Sequence, residues 1–247
     1  MIVSHNEILV TCQKALEAAG FSQGVREDAA DSIAWLEQIG VSVLSNLCAG
    51  MAQLQPVKAG WALQADRPNR FALATNGGSC LQFGSLAADY ALTKAQAFDY
   101  SIGSIDGSEP GLWIGYMRHA ARAGIHSYVA WQHGTNLHQY RFAAHESFPD
   151  YVCVQVETQD DGHVRLSMSQ TPLTLAGEHP WTFSRDEPHP PHIVARVSSA
   201  EFATKRQYHL LNGITVDDTC WQQLKEIAKG ILVEDTEESR ARGAGGA

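Results

Sequence analysis

The sequence predicts a mixed α/β protein without the fingerprint of a doubly wound dinucleotide-binding fold, and three observations carry that expectation. Apolar residues recur at helical spacing through the first 60 residues. Helix-like and strand-like patterns alternate between residues 71 and 131, and beyond Trp131 the pattern turns mostly to strands. No G-x-G-x-x-G, G-x-x-x-x-G-K-S/T or G-x-S-x-G run occurs, so a Rossmann fingerprint, a P-loop and a nucleophile elbow are all without support. The expected architecture is an N-terminal helical layer (1–60), a mixed α/β core (61–233) and a flexible tail (234–247). In the core, a central mixed sheet with flanking helices leads to a strand-rich C-terminal part with a closing helix.

Each element has a local reason. Ser4-His5-Asn6-Glu7 is a capping box, in which the Ser and Glu side chains each satisfy an orphan backbone donor. Ile8, Leu9, Cys12, Leu16 and Ala19 then share a face, and Gly20 stops the helix. A second helix runs from Ser22 to Gly40 with Val25, Ala29, Ile33 and Leu36 as its apolar stripe. A third is expected from Val41 to Gln55, ended by Pro56. Residues Ala65–Asn69 read as a connection, Phe71–Thr75 as a strand closed by Asn76-Gly77-Gly78, and Gly84–Ala97 as a helix. A strand at Tyr100–Ile105, a helix from Pro110 to Ala123 and a strand at Ser127–Trp131 complete the alternation. Tyr151–Val156 and Val164–Met168 read as a hairpin through Asp160-Asp161-Gly162. The Pro-rich run Glu187–Pro191, a strand at His192–Val197 and a helix near Val216–Ala228 follow.

Composition narrows the function. Eighteen Lys and Arg against 27 Asp and Glu leave a formal charge of −9, and the basic residues do not cluster, which argues against nucleic acid. No stretch reaches the ~18–20 apolar residues of a membrane span, and the N-terminus lacks the pattern of a signal peptide, so the expectation is a soluble cytoplasmic protein. Five scattered cysteines without C-x-x-C read as reduced, packed thiols. Among the eleven histidines, His133, His138 and His145 fall in one loop-like segment, and none has the spacing of a zinc ligand set. No metal is expected.

Two segments could hold a ligand. Asp106-Gly107-Ser108-Glu109-Pro110-Gly111 follows a strand and opens a helix, where free backbone donors and the positive helix end suit a carboxylate; it also reads as a plain capping turn. Gln132-His133-Gly134-Thr135-Asn136 follows another strand end, and is equally a structural turn.

At these residues the chain resembles the type-2 malate/lactate dehydrogenase family, NAD(P)H-dependent reductases of 2-oxo and cyclic imino acids. The resemblance lies in Ala18-Ala19-Gly20, Gly40-Val41, the Ala-rich helix from Gly84 with Lys94-Ala95, the strand to Ile105, and Gly111, Tyr116 and Ala120-Ala121-x-Ala123-Gly124; it covers roughly half the chain. Where the family has Asp-Ser-His-Gly this chain has Ser42-Val43-Leu44-Ser45, and His-Phe-Gly is met by Glu109-Pro110-Gly111, so both histidines are missing. The chain is also shorter than family members and shows no counterpart of their long cofactor-binding region after Trp131. The opening Ser4–Ile8 and the ending Glu238–Gly245 also resemble an uncharacterised bacterial family of unknown function.

The resemblance implies a non-Rossmann reductase scaffold, a homo-oligomer and a small-molecule ligand, with NADH or NADPH as the possible cofactor. In an enzyme acting on a small carboxylate-bearing metabolite, Glu109 would take the acid/base role, with Ser108, Gly111 and Tyr116 on the substrate. Thr135 and Asn136 would match the family's Gly-Thr-Asn at the cofactor. The alternative is a catalytically inactive ligand-binding or assembly subunit, in which aromatics such as Trp61 or Trp113 would form the working surface.

Overall fold

The computed structural model describes residues 1–50, 61–76, 78–106, 109–156, 163–171 and 192–231. A short strand β1 (Ile2–Val3) leads into α1 (His5–Ala18), whose capping box forms as the sequence requires: Glu7 N donates to Ser4 Oγ and Ser4 N to Glu7 Oε2. Helix α2 (Gln23–Gln38) follows, and α3 begins at Leu44 rather than Val41 (Leu44–Gly50), because the preceding backbone is held by a side chain of α2 described below. Residues 51–55 of the expected helix lie outside the described residues.

The stretch expected to be a connection is instead strand β2 (Ala62–Arg67), which turns tightly at Pro68-Asn69 into β3 (Arg70–Ala74). Lys94 fixes that turn: its ammonium donates to the carbonyls of Arg67 and Pro68 and pairs with Asp66 at 2.7 Å. Helix α4 (Cys80–Phe98) starts four residues before the expected Gly84, because Ser79 Oγ accepts from Leu81 N as the N-cap. Next come β4 (Tyr100–Ile105), a 3-10 turn at Pro110–Leu112, α5 (Trp113–Arg122) and β5 (His126–His133). The segment holding His138, read as loop-like, is strand β6 (Asn136–Phe142). Strands β7 (Asp150–Gln155), β8 (Val164–Ser169) and β9 (Ile193–Val197) precede helix α6 (Ser199–Asn212), which the sequence reading missed although Ser198 and Glu201 form a second capping box. Strand β10 (Ile214–Thr215) and α7 (Asp218–Ala228) close the described chain. The Pro-rich run, the Asp160–Gly162 turn and the tail lie outside the described residues.

Among the described residues eight strands form one sheet in the order β2-β3-β4-β8-β5-β6-β7-β9. Among the described strands only β3 and β4 run parallel and every other pair is antiparallel, so the sheet is mixed and cannot be the doubly wound parallel type. The expected β7–β8 hairpin does not form. Strand β8 pairs with β4 and β5 instead, while β7 lies between β6 and β9. Helices α4 and α5 cover one face, α2 lies over them, and α1 and α7 stack outward. Small residues allow the close approach. A Cβ on Gly84 would meet the Tyr116 ring at 2.2 Å, and one on Gly115 would meet Ser32 Cβ at 2.6 Å.

Two further expectations are corrected. Cys48 on α3 and Cys220 on α7 are joined in a disulfide, their Cα atoms 5.5 Å apart, so they are not free thiols; folding brings together residues 172 apart in sequence. Cys12, Cys80 and Cys153 are free and buried. Trp113 is fully buried and offers no surface, whereas Trp61 is exposed at the start of β2. Among the described residues no helix is long and apolar enough to cross a membrane.

Candidate functional site

Strands place alternate side chains on one face, and on the helix-covered face of β5, β6 and β7 that alternation selects Trp131, His138, Tyr140 and Tyr151. The register sets Trp131 opposite His138 and Tyr140 opposite Tyr151. Their rings form a stacked array: Trp131 lies 5.4 Å from His138 and 5.6 Å from Tyr140, and Tyr140 lies 4.5 Å from Tyr151. This array is one wall of a cleft of about 620 Å³. The facing wall is built by Val41, Ser42 and Val43 between α2 and α3, by Asn46 on α3, and by Glu109–Leu112 with Ile114 at the start of α5.

Two glutamates shape that facing wall. Glu37, buried at the end of α2, accepts from Val43 N and Leu44 N, both at 2.7 Å, and so fixes the chain that enters α3. Burial pushes its carboxyl above the usual range, and the two backbone donors pull the other way. Glu109 adopts a left-handed backbone (φ 53°, ψ 57°), uncommon for a residue with a side chain. Its Oε2 accepts from Ser79 Oγ at 2.7 Å and Cys80 N at 3.3 Å, which docks the turn after β4 on the start of α4. Gly111 packs against Val43, where an added Cβ would lie 3.2 Å from Cγ1.

The groups with proton chemistry are on the aromatic wall. His138 Nδ1 and Tyr151 Oη are hydrogen-bonded at 3.0 Å. Burial, with a smaller push from His133, lowers the His138 pKa, so the imidazole is neutral at physiological pH. Burial raises the phenols of Tyr140 and Tyr151, which therefore stay protonated. When Tyr151 donates to Nδ1, Nε2 carries a proton it can give; in the other tautomer Nε2 can accept one.

The residues singled out from sequence separate. Glu109 and Gly111 line the cleft. Tyr116 does not: it is buried between α4 and α5 against Gly84, its hydroxyl without a partner among the described residues. It borders a second notch of about 220 Å³ with Asp28, Ser85, Asp89 and His119. Thr135 lies in the β5–β6 turn, where its carbonyl accepts from Val156 N, Asn136 opens β6 opposite His133, and neither lines the cleft. Ser108 lies outside the described residues. The sequence reading missed Trp131, His133, His138, Tyr140 and Tyr151 as wall residues; their signal was the two-residue spacing Trp131-x-His133, His138-x-Tyr140 and Tyr151-x-Cys153.

Comparison with known proteins agrees with this scaffold. Residues 3–70 match the model of a family described as a protein of unknown function (DUF3726). No curated protein matches. Among solved structures, malate dehydrogenase from Pyrococcus horikoshii OT3 superposes with a TM-score of 0.68 at 10% identity, over 95% of this chain and 96% of that one. Sulfolactate dehydrogenase from Methanocaldococcus jannaschii gives 0.61 at 11% over 93% and 97%. Delta1-piperideine-2-carboxylate reductase from Pseudomonas syringae pvar. tomato gives 0.59 at 10% over 92% and 99%. The chain has the fold of the malate/lactate dehydrogenase-type structures and spans them almost end to end, so the short chain omits little of the scaffold.

The cleft is a poor match for a nicotinamide dinucleotide. Its pyrophosphate calls for cationic side chains or a cradle of backbone donors. The described lining instead supplies a carboxylate and neither Lys nor Arg.

Proposed function

We propose that the chain is a divergent acid–base enzyme on the dehydrogenase-type scaffold, binding a small metabolite in the aromatic-walled cleft and exchanging a proton with it through His138 and Tyr151. The observation that carries this reading is the 3.0 Å bond between His138 and Tyr151 on the wall of a cleft large enough for a metabolite. The two segments that lack the resembling family's histidines, at Leu44 and Glu109, lie at or beside the same cleft, so proton transfer falls to the opposite wall. Glu109 serves as a positioning residue that holds the facing wall of the cleft against the start of α4, and no hydride step is invoked.

The test is a thermal-unfolding screen of small metabolites, with NADH and NADPH as separate arms, followed by turnover of any ligand that binds. A ligand at about 100 times its dissociation constant stabilises the native state by ~2.7 kcal/mol, enough to move the midpoint by several degrees. Neither nicotinamide cofactor is expected to move it. With a turned-over ligand, His138→Asn should lower kcat by about 10²–10⁴ while binding persists; unchanged turnover would overturn the assignment.

A second reading, as an assembling subunit, draws on the outer face of α6, where Tyr208, Leu210 and Leu211 are 61%, 50% and 76% exposed. We propose that this face contributes to a homo-oligomer. Light scattering of the protein and of Leu211→Asp checks it, and equal masses at the monomer value would remove the reading.

A further inference from the structure

We infer that a notch between the start of α3 and the start of α7 binds a small primary ammonium ion, held by the carboxylates of Glu37 and Asp217 and the hydroxyls around them. This is a site apart from the aromatic-walled cleft, with which it shares only Ser42.

The notch has a volume of about 240 Å³. Glu37 lines it from the end of α2, and its carboxylate is placed by its own bonds: Oε1 accepts from Val43 N and Leu44 N, within the segment whose Ser42, Leu44 and Ser45 form one wall. The residue is only 5% exposed, yet Oε2 takes no hydrogen bond among the described residues and is not sealed from solvent, so the opening left to it is the notch. Asp217 stands on the other side as the N-cap of α7. Its Oδ1 accepts from Cys220 N at 2.8 Å, and Oδ2 is bonded to no described residue. Two carboxylates thus border one small space, and no Lys or Arg is among its described lining residues.

An ammonium group suits what these walls offer. Its N–H donors need oxygen acceptors, and besides the two carboxylates the notch supplies the hydroxyls of Ser42, Ser45 and Thr215, none of them bonded to another described residue. Leu44 and Val216 add apolar surface for a short carbon chain. A buried carboxylate with one oxygen unbonded is unfavourable by itself, and a cation beside it offsets that cost. The cationic groups nearby are engaged elsewhere. The Met1 ammonium donates to the Val216 carbonyl and pairs with Asp218, while His209, whose charge acts on Glu37 from α6, donates from Nδ1 to the Gln38 carbonyl at 2.8 Å; neither lines the notch. A metal ion is less well served, because among the described residues no three His, Cys, Asp or Glu side chains are grouped to hold one.

Three probes with one carbon chain separate charge from shape: propylammonium, propanol and propionate. Each is titrated calorimetrically into the full chain at matched ionic strength, with potassium chloride as a fourth arm. Propylammonium should bind at least about tenfold more tightly than propanol or potassium, and propionate should not compete. Three variants tie the binding to the notch. Glu37→Gln keeps an oxygen for Val43 N and Leu44 N, and Asp217→Asn keeps a good N-cap, so each removes charge while the fold is retained; each should weaken propylammonium about tenfold. Ser45→Lys, at an exposed position of the rim that is no part of the cleft, places the chain's own ammonium at the notch and should abolish binding. Equal affinity for propylammonium and propanol, preference for propionate, or failure of every probe to bind would overturn the inference. Potassium binding as tightly as propylammonium would overturn it in favour of a metal cation. Propylammonium binding unchanged by Asp217→Asn and Ser45→Lys would overturn it by placing the amine elsewhere, and none of these outcomes touches the reading of the cleft.

Discussion

Glu109 answers to two demands, because its backbone must enter the left-handed region while its carboxylate reaches the start of α4. Replacing it with glycine would ease the first and abolish the second. Its place at the cleft was legible in the sequence, since a turn between a strand and a helix is a recognisable setting. His138 was not legible: its orientation becomes meaningful only once the β5–β6–β7 register puts it beside Trp131 and Tyr151. Three strands must align before the alternating aromatics read as one surface. At this scale His138 also predicts a pH effect. Its folded pKa lies below the ordinary 6.5, so the unfolded chain binds the proton more readily. Stability should therefore fall as pH drops below about 6.5, toward the lowered native value, and be unaffected by this group above that range. His138→Gln should flatten part of that slope in denaturant titrations across the interval; identical slopes in the two proteins would remove the attribution.

Helices were read best where their ends carry chemistry. The capping box of α1 was visible in four residues, and the same signature at Ser198-Ser199-Ala200-Glu201 went unread because a weakly amphipathic helix followed it, with Phe202 its one fully buried side chain among the described residues. Ser198→Ala should cost about 1 kcal/mol, measured by chemical denaturation, provided α6 unfolds with the rest. The α4–α5 contact makes a sharper demand. Gly84→Ala places a methyl group against the fully buried Tyr116 ring, and the expected loss is about 1–3 kcal/mol. A neutral result would mean that the two helices can separate without penalty. Strand pairing, by contrast, escaped the sequence: Tyr151–Val156 and Val164–Met168 look like neighbours because they are close in the chain and alternate alike, yet local pattern carries no record of a partner sixty residues away.

For the molecule as a whole, the mixed α/β class and the helix-over-sheet order were readable from periodicity, whereas the long-range ties were not. The disulfide between Cys48 and Cys220 spans 172 positions and closes most of the described chain into a loop, beside the β1–β10 pair that joins its two ends. Chain-entropy arguments give such a crosslink about 2–5 kcal/mol, so a dithiol reductant, or Cys220→Ser, should lower the denaturation midpoint accordingly. An unchanged midpoint after confirmed reduction would show that the packing of α3 on α7 suffices. Strand β8 has a consequence of another kind. It enters between β4 and β5, joining β2-β3-β4 on one side to β5-β6-β7-β9 on the other. On a ribosome, β4 and β5 emerge with those edges bare and must wait for residues 164–169 before the sheet can close. During synthesis the nascent chain therefore carries two open sheet edges at once, the condition under which chaperones are most needed and strand-exchanged dimers most readily form.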